Sequence, residues 1–205
     1  MTALAHSIGR RSTQAAAITS DVVLVLGGLA FMWVMTQVAI PLEPFSPVPI
    51  TGQTLSVLLI GAAFGAVRGG ATIGLYLALG AMNLPRAFAE GKTGVEFLQA
   101  ASPTGGYLVG FVIAAVVVGY LAQRGWDRSL GSALGAMLIG QVIIFTLGVA
   151  WLGNALGVPA QKAMEFGLYP FVIGDVIKLA LAAGLLPTAW RLIKDRAGGP
   201  SFKRG

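Results

Sequence analysis

Two opposite charges stand three residues apart in an otherwise apolar stretch of the chain. Asp175 and Lys178 belong to the segment Leu168–Lys178, which opens the last long apolar run. Residues at positions i and i+3 share one face of a helix, so the two side chains can meet. An ionisable side chain within a membrane costs about 2.5–3.5 kcal/mol on insertion scales and therefore faces protein or a cavity. The pair predicts a functional site or, alternatively, a structural ion pair that ties the last helix to its neighbours.

Other chemistries lack the residues that they need. The 205-residue chain contains no cysteine and a single histidine, His6, in its polar N-terminal stretch, which argues against metal sites and thiolate chemistry. Gly91-Lys92-Thr93 matches only the end of a phosphate-binding loop, because Arg86 stands where that motif needs its first glycine. We therefore expect no metal, no cofactor and no ATP site in this chain.

The composition is typical of a polytopic membrane protein. Hydrophobic residues make up 56% of the sequence and charged residues 11%, less than half of the roughly 25% that soluble domains carry. At about 20 residues per crossing, the apolar runs predict an all-α polytopic membrane protein with six transmembrane helices: Val22–Ile40, Ile50–Val67, Gly69–Leu84, Gly105–Gln123, Leu130–Leu152 and Leu168–Ile193. We expect one integral membrane domain over residues 1–205, with a six-helix bundle at 22–193 between tails at 1–21 and 194–205. Gly69 and Gly70 predict a tight turn between the second and third helices.

The basic residues predict the orientation of this bundle in the lipid bilayer. The formal net charge is +6, but the lysines and arginines lie between and outside the apolar runs, so they indicate topology and no nucleic-acid partner. With the N-terminus in the cytoplasm, Arg86, Lys92 and Lys162 lie outside and Lys178 lies in the membrane. Ten basic residues lie inside: Arg10, Arg11, Arg68, Arg124, Arg128, Arg191, Lys194, Arg196, Lys203 and Arg204. This bias follows the positive-inside rule and predicts a multi-pass protein of the cytoplasmic (inner) membrane with both termini in the cytoplasm.

That topology places polar and aromatic residues from several helices at one depth on the outer side. They are Gln53, Thr54, Asn83, Tyr107, Trp151 and Asn154. The longest linker, Pro85–Thr104, lies on the same side and suits a mobile lid. Gly105 and Gly106 follow it and can act as hinges, because glycine adopts backbone angles that other residues avoid. These features predict a binding site near the outer surface.

Small residues recur at four-residue spacing, which permits close helix packing in membranes. They are Gly61/Gly65/Gly69, Gly70/Gly74/Ala78, Gly106/Gly110/Ala114 and Gly131/Gly135. We expect packing within the chain or, alternatively, docking onto the helices of a partner.

Four short motifs carry a family resemblance. They are Pro49-Ile50-Thr51-Gly52-Gln53-Thr54, Leu79-Gly80-Ala81 with Leu84-Pro85, Ser102-Pro103-Thr104-Gly105-Gly106-Tyr107, and Pro170-Phe171 with Gly174-Asp175 and Lys178. In this order and spacing they resemble the BioY biotin transporters, the substrate-binding S components of energy-coupling factor (ECF) transporters. The resemblance runs from about Val22 to Trp190. It implies a six-helix fold, high-affinity uptake of biotin, and partner transmembrane and ATPase subunits that supply the energy.

The resemblance also implies site residues. In that family the aspartate and the lysine of the last helix belong to the biotin pocket, and they correspond to Asp175 and Lys178. Gln53, Tyr107 and Asn83 correspond to further pocket positions. The family pocket lies near the outer surface, which is where the charge distribution places these residues.

The chemistry of biotin suits this set of side chains. Biotin offers ureido N–H donors, a carbonyl acceptor, an apolar sulfur ring and a carboxylate tail. An ionised Asp175 can accept hydrogen bonds from the ureido N–H groups and Lys178 can donate to the carbonyl oxygen, and such charge-assisted bonds are strong. Phe171, Tyr107 and Trp151 can pack against the ring, as in most small-molecule sites.

One departure from the family pattern leaves alternatives open. S components commonly dock through an alanine-x-x-x-alanine pattern in the first helix, whereas here Ala30 is followed at that spacing by Val34 and Val38. A solitary or oligomeric carrier is therefore an alternative, as is an ion-coupled carrier with Asp175 as the proton site, although the nearby Lys178 favours the charged carboxylate. A membrane-embedded enzyme is a further alternative, but the chain lacks an evident nucleophile beside a base.

Overall fold

The computed structural model describes residues 14–89, 93–100 and 102–197, and within them all side chains except those of residues 14–17, 98 and 193–197. The elements are α1 (Gln14–Gln37), β1 (Ala39–Ile40), β2 (Ile50–Thr51), α2 (Gln53–Phe64), α3 (Ala66–Ala81), α4 (Gly105–Gln123), α5 (Leu130–Leu156), α6 (Ala160–Gly167) and α7 (Val172–Ala197), with 3-10 turns at Val95–Leu98 and Tyr169–Phe171. Residues 1–13 and 198–205 of the predicted tails, including His6, lie outside the described residues. The same holds for Gly91 and for the predicted outside cation Lys92.

Helix α4 lies at the centre of the bundle and packs against α2, α3 and α5. Its Ala114, Ala115 and Val118 are fully buried, because small side chains let neighbouring helices approach closely. Helix α1 lies at the periphery, against α2 and α3. Only 11% of its apolar window is buried, compared with 61% for α4, so the protein itself covers little of α1.

The chain changes direction between α2 and α3 at one residue, Gly65, whose φ of 84° belongs to the left-handed region. A Cβ on Gly61 would lie 2.6 Å from the Ala115 carbonyl oxygen, and one on Gly69 would lie 2.9 Å from the Gly61 Cα. These contacts need glycine, so the repeat packs α2 against α3 and α4 within the chain. The predicted tight turn at Gly69 and Gly70 is wrong, because both residues lie within α3.

The first helix is displaced relative to its prediction. Helix α1 begins at Gln14, inside the predicted tail 1–21, and ends at Gln37, three residues before the predicted end. An extended segment follows, in which β1 and β2 pair antiparallel with Ala39 opposite Thr51. Proline cannot continue a helix, and this segment contains four prolines: Pro41, Pro44, Pro47 and Pro49.

Four helices in the described part of the chain are long and apolar enough to cross a membrane, judged by length and composition alone. They are Ile18–Gln37 in α1, all of α4, all of α5, and the stretch Ala160–Leu192 that combines α6 and α7. Helix α2 has 12 residues and α3 has 16, fewer than the roughly 20 that a crossing needs. The mainly helical, membrane-type fold is confirmed, and the count of six crossings stays a prediction.

The last helix begins later than predicted, at Val172 instead of Leu168. A 3-10 turn at Tyr169–Phe171 precedes it and contains Pro170. Asp175 therefore lies in the first turn of α7 and not two turns inside a helix. The positive end of the helix dipole lies there and favours a carboxylate.

Candidate ligand-binding site

A cavity opens at the end of the bundle where α2, α4 and α7 begin. It has a volume of about 60 Å³, which is room for a few water molecules. Its wall is mainly apolar and aromatic, and the charges in it are those of one acid and one base, an arrangement typical of small-molecule sites. The lining residues are Pro47, Val48, Pro49, Thr51, Gln53, Thr54, Phe88, Ala89, Phe97, Thr104, Tyr107, Leu108, Phe111, Phe145, Phe171, Asp175 and Lys178.

Asp175 and Lys178 form one hydrogen-bonded cluster with residues of two other helices. Lys178 Nζ lies 2.7 Å from Asp175 Oδ1 and 3.1 Å from Thr54 Oγ1. Thr54 Oγ1 donates to the same Asp175 oxygen over 3.4 Å, and Gln141 Nε2 donates to Asp175 Oδ2 over 2.7 Å. Asp175 is 4% exposed and Gln141 5% exposed. The carboxylate is therefore buried but has three hydrogen-bond donors, one of which is a cation.

The cluster retains capacity for a ligand. A carboxylate offers about four lone-pair sites and an ammonium group three donors. Lys178, Thr54 and Gln141 occupy three sites on Asp175, while Asp175 and Thr54 occupy two donors of Lys178. By this count, about one acceptor site on Asp175 and one donor on Lys178 remain, and both residues line the cavity. A ligand group that carries an N–H beside a carbonyl oxygen would satisfy both.

A second, neutral network lies on the α2–α3 side of the cavity. Gln53 donates from Nε2 to the Tyr76 hydroxyl over 2.8 Å, and its Oε1 accepts from Thr51 Oγ1 over 3.1 Å. Tyr76 is 1% exposed. Its hydroxyl also lies 2.8 Å from Thr36 Oγ1 and donates to the Ala87 carbonyl. The Gln53 side chain at the cavity wall is thus held by the buried Tyr76 hydroxyl and by Thr51, which also lines the cavity.

Aromatic rings form the wall beside the charged cluster. Phe145 of α5 stands between Tyr107 and Phe171, with ring centroids 6.4 Å and 6.2 Å apart. Such edge-to-face and tilted contacts add stabilisation beyond the area that they bury. The Tyr107 hydroxyl donates to the Gly167 carbonyl over 2.7 Å, so Tyr107 offers the cavity its ring.

The structure brings some of the predicted site residues together and leaves others apart. Gln53, Tyr107, Phe171, Asp175 and Lys178 all line the cavity, whereas Asn83, Trp151, Gly105 and Gly106 do not. Asn83 is exposed in the turn after α3, with a left-handed φ of 66°.

Gly105 and Gly106 pack closely in the first turn of α4, and the prediction that they act as hinges stays a prediction. A Cβ on Gly106 would lie 2.3 Å from the Trp151 Cβ and 2.4 Å from the Leu147 carbonyl oxygen. Trp151 covers both glycines and donates from Nε1 to the Ser102 carbonyl over 2.9 Å. It therefore packs the start of α4 against α5 and does not itself line the cavity.

The sequence analysis did not predict several residues that line the cavity or bind its polar side chains, namely Gln141, Tyr76, Phe88, Phe111 and Phe145. A signal existed for Gln141, because a polar side chain inside a long apolar run usually faces the bundle interior and needs a partner there. The aromatic residues gave no such signal, since their positions are compatible with core, lipid contact or binding wall.

A second buried carboxylate lies at the opposite end of the bundle. Asp127, in the α4–α5 connection, is 2% exposed, and its Oδ2 accepts from Trp190 Nε1 over 2.5 Å. Among the described residues, no donor lies within hydrogen-bonding distance of its Oδ1. Burial raises the pKa of the Asp127 carboxyl above its ordinary value, against the opposing effects of the Trp190 hydrogen bond and of Arg128.

Known proteins resemble this chain in both sequence and fold. It is 38% identical to the biotin transporter BioY of Rhizobium etli over 146 residues, which are 68% of this chain and 76% of the relative. It is 41% identical to the biotin transporter BioY of Thermotoga maritima over 140 residues, or 68% of this chain and 79% of the relative.

The fold matches a solved structure of the S-component for biotin from an ECF-type ABC transporter. The TM-score is 0.76 at 23% sequence identity, and the match covers 92% of this chain and 96% of that one. The model of the BioY family matches residues 7–195. The extent of that match and the identities to named relatives show that the chain belongs to the BioY family.

Proposed function

We propose that the chain binds biotin in the cavity and serves its uptake across the membrane, as a transporter component and not as an enzyme. The observation that carries this proposal is the buried cluster of Asp175, Lys178, Thr54 and Gln141 at the cavity wall. It is supported by the names of the relatives at 38% and 41% identity, which are biotin transporters.

The ureido group of biotin fits the remaining capacity of this cluster. One ureido N–H donates to Asp175 and the ureido carbonyl accepts from Lys178, so that both bonds are charge-assisted. The fused rings then contact Phe171, Phe145 and Tyr107. The amide of Gln53 supplies a neutral polar contact on the other side of the cavity.

Binding requires the loops above the cavity to part. The cavity volume of about 60 Å³ accommodates a few waters but not the two rings of biotin with their tail. The extended segment that carries Pro47, Val48 and Pro49 and the loop that carries Phe88, Ala89 and Phe97 cover it. Ligand entry therefore displaces these two segments, while the helices that carry the charged cluster keep their packing.

Purified protein tests the proposed ligand directly. A binding titration should show saturable binding of biotin and no binding of other water-soluble vitamins at the same concentrations. A biotin analogue with both ureido nitrogens methylated should compete poorly, because it retains the rings and the tail but lacks the donors for Asp175. Equal binding of biotin and of this analogue would contradict the assigned pose, and absence of biotin binding would overturn the proposed function.

For transport, we propose that the chain acts as an S component with a transmembrane subunit and ATPase subunits. The fold match to an S component supports this assembly. Uptake of labelled biotin in a host without any ECF module should be slow and should accelerate when such a module is co-expressed. Full-rate accumulation by the chain alone would instead support the alternative, a solitary or ion-coupled carrier for biotin or a similar vitamin.

We also propose six crossings, with both termini in the cytoplasm. Helix α2 begins at the cavity, and the α2–α3 junction packs on the last turns of α4, where the Ala66 N–H donates to Gln123 Oε1 over 3.3 Å. A Cβ on Gly119 would lie 2.5 Å from the Ala66 nitrogen. Because α4 is long enough to cross a membrane, α2 and α3 extend over much of the same depth. Their glycine junction keeps these short helices inside the bundle.

Cysteine labelling tests this topology, since the chain has no native cysteine. In intact cells an impermeant thiol reagent should label Val95→Cys and should not label Ser129→Cys or Val67→Cys. Labelling of Ser129→Cys and Val67→Cys without labelling of Val95→Cys would invert the orientation. Labelling of Val67→Cys together with Val95→Cys would make α2 and α3 a re-entrant pair and reduce the count to four, with the termini still on one side.

A further inference from the structure

Three consecutive backbone carbonyls above the cavity are each bound by a side chain from elsewhere in the chain. Trp33 Nε1 donates to the Pro85 carbonyl over 3.1 Å, and Gln37 Nε2 donates to the Arg86 carbonyl over 3.0 Å. The Tyr76 hydroxyl donates to the third carbonyl, that of Ala87. The next two residues of the loop, 88 and 89, line the cavity.

These donors share one support. Trp33, Thr36 and Gln37 stand at i, i+3 and i+4 of α1 and therefore share one face of the helix. Trp33 and Gln37 bind the loop directly, while Thr36 Oγ1 lies 2.8 Å from the Tyr76 oxygen. The last turns of α1 thus hold the loop in two direct contacts and one contact through Tyr76.

The backbone of this loop includes one residue in an unfavourable conformation. Arg86 adopts a left-handed φ of 55°, and for such a side chain this conformation needs support from the surrounding structure. Asn83, with a φ of 66°, is of a residue type that adopts it readily. Phe88 packs edge-on against the Tyr76 ring, at 6.0 Å between centroids, and against Phe97 at 5.3 Å. Side-chain packing and the three carbonyl contacts therefore fix the same segment.

We propose that Trp33, Gln37 and Tyr76 form a carbonyl clamp that holds residues 85–89 closed over the cavity and so sets how long a ligand stays bound. They are positioning residues, since none of them lines the cavity. The clamp is linked to the ligand site through Gln53, whose Nε2 lies 2.8 Å from the Tyr76 oxygen. A ligand that contacts Gln53 thereby strengthens closure, and a displacement of α1 weakens it. The effect on a ligand rests on the proposed biotin site, whereas the closure itself does not.

Closure can be measured without any ligand. In purified protein, Ala89→Cys should react slowly with a thiol reagent, because residue 89 is partly buried at the cavity wall. Adding Tyr76→Phe keeps the ring and removes the hydroxyl, so labelling should become about fivefold to tenfold faster, as expected from the loss of a buried hydrogen bond. Asn154→Cys, which is exposed on α5, serves as the control and should react at one rate in both backgrounds. Equal labelling of Ala89→Cys in both backgrounds would overturn the clamp.

Ligand kinetics test the functional consequence. Tyr76→Phe and Gln37→Leu should each accelerate dissociation of labelled biotin by about fivefold to tenfold, without slowing association, because an opened loop does not hinder entry. Tyr120→Phe should leave both rates unchanged, since Tyr120 is exposed and contacts Arg124 far from the loop.

The possible outcomes of the two experiments are distinct. A purely structural role of Tyr76 would lower the fraction of active protein and leave both rate constants of the remainder unchanged, which would contradict the clamp. If Tyr76→Phe does not fold, the exposed Gln37→Leu decides the question by the same two measurements. If the parent does not bind biotin, the proposed function fails, and the labelling of Ala89→Cys still tests the clamp.

Discussion

Two buried carboxylates lie near the two ends of α7, and their surroundings differ. Asp175 belongs to the first turn of α7, and Asp127 contacts Trp190 near its end. Near the start of α7, Asp175 receives hydrogen bonds from three side chains, one of them the cation of Lys178. Near its end, Trp190 donates to Asp127, whose other oxygen has no donor within the described part of the chain. Arg128 places its guanidinium over the Trp190 ring, 5.1 Å from the centroid. The first site thus has a cation bonded to its carboxylate, and the second has one neutral donor.

The difference indicates what a buried carboxylate needs in order to serve as a binding group. Removing a charge from water is costly unless hydrogen bonds and an opposite charge compensate. The donors around Asp175 provide that compensation and still leave about one acceptor site for a ligand. Asp127 has less compensation, and burial raises its pKa. We therefore interpret Asp175 as a preorganised binding group and Asp127 as a structural contact that resists ionisation.

The largest effect is expected when the charged cluster is broken. Asp175→Asn keeps the shape of the side chain but removes the charge that Lys178 and a ureido N–H require. Truncating one member of a buried, hydrogen-bonded charge pair costs about 2–5 kcal/mol, so a titration should show biotin affinity reduced by more than about tenfold. Lys178→Ala should cause similar harm, and the double variant should lose less than the sum of both, because the two residues belong to one network.

A matched control exists for this pair. Lys162 and Glu165 form an ion pair at the same i,i+3 spacing, with 2.8 Å between Lys162 Nζ and Glu165 Oε2, but both side chains are exposed. Glu165→Gln should leave biotin affinity unchanged, as expected of a surface pair. Folded Asp175→Asn and Lys178→Ala proteins with parental affinity would make the cluster a structural ion pair only and place the ligand elsewhere.

A smaller loss is expected when the cluster loses its neutral donor. Gln141→Leu removes the hydrogen bond to Asp175 Oδ2, and a hydrogen bond to a charged group contributes about 1.5–3 kcal/mol. Biotin affinity should therefore fall by about tenfold to a hundredfold. Gln123→Leu is the control, because Gln123 lies at the opposite end and accepts from the Ala66 N–H. An unchanged affinity of Gln141→Leu would show that Lys178 and Thr54 are sufficient for the difference between the two carboxylates.

The sequence predicted one half of the cavity far better than the other. Asp175 and Lys178 stand out because charged side chains inside an apolar run are costly and must face protein or a cavity. Their i,i+3 spacing alone then predicts that they meet on one face of the helix. The opposite wall depends on Gln53, Tyr76 and the loop carbonyls, which are neutral groups that meet across up to 52 residues of chain. Spacing along one helix does not reveal such contacts.

Helix lengths and glycine roles were partly predictable as well. The apolar runs predicted the existence of the long helices, but the break at Gly65 depends on close contacts among Gly61, Gly69 and Ala115. Gly105 and Gly106 illustrate the ambiguity of glycine, since the same residue type permits a hinge or a close helix contact. The position of Trp151 in the folded chain favours the close helix contact.

The cavity end should depend on that close contact for its stability. Gly106→Val places side-chain atoms against Trp151 and the Leu147 carbonyl, and overpacking of this kind typically costs about 1–3 kcal/mol. We expect a lower Tm, with the folded fraction binding biotin at nearly the parental affinity. Gly74→Ala is the control, because a Cβ there has no neighbour within 4 Å. Parental stability with weakened binding would instead restore the hinge interpretation at this end.

The smallest effect is expected at Asp127. Because burial raises its pKa, the folded state binds the proton more tightly than the unfolded state. The contribution of protonated Asp127 to the free energy of unfolding is therefore complete below the ordinary pKa of aspartate and is lost as the pH rises through the pKa of the folded state.

The variant Asp127→Asn cannot ionise and should be more stable than the parent at neutral pH. Its advantage in Tm should shrink as the pH falls from about 8 to about 4. Thermal unfolding across this range measures it, with Glu43→Gln at an exposed site as the control. A Tm difference that does not vary with pH would show that the cost of burying the Asp127 charge is compensated to the same degree as for Asp175. The contrast between the two ends of α7 would then be lost.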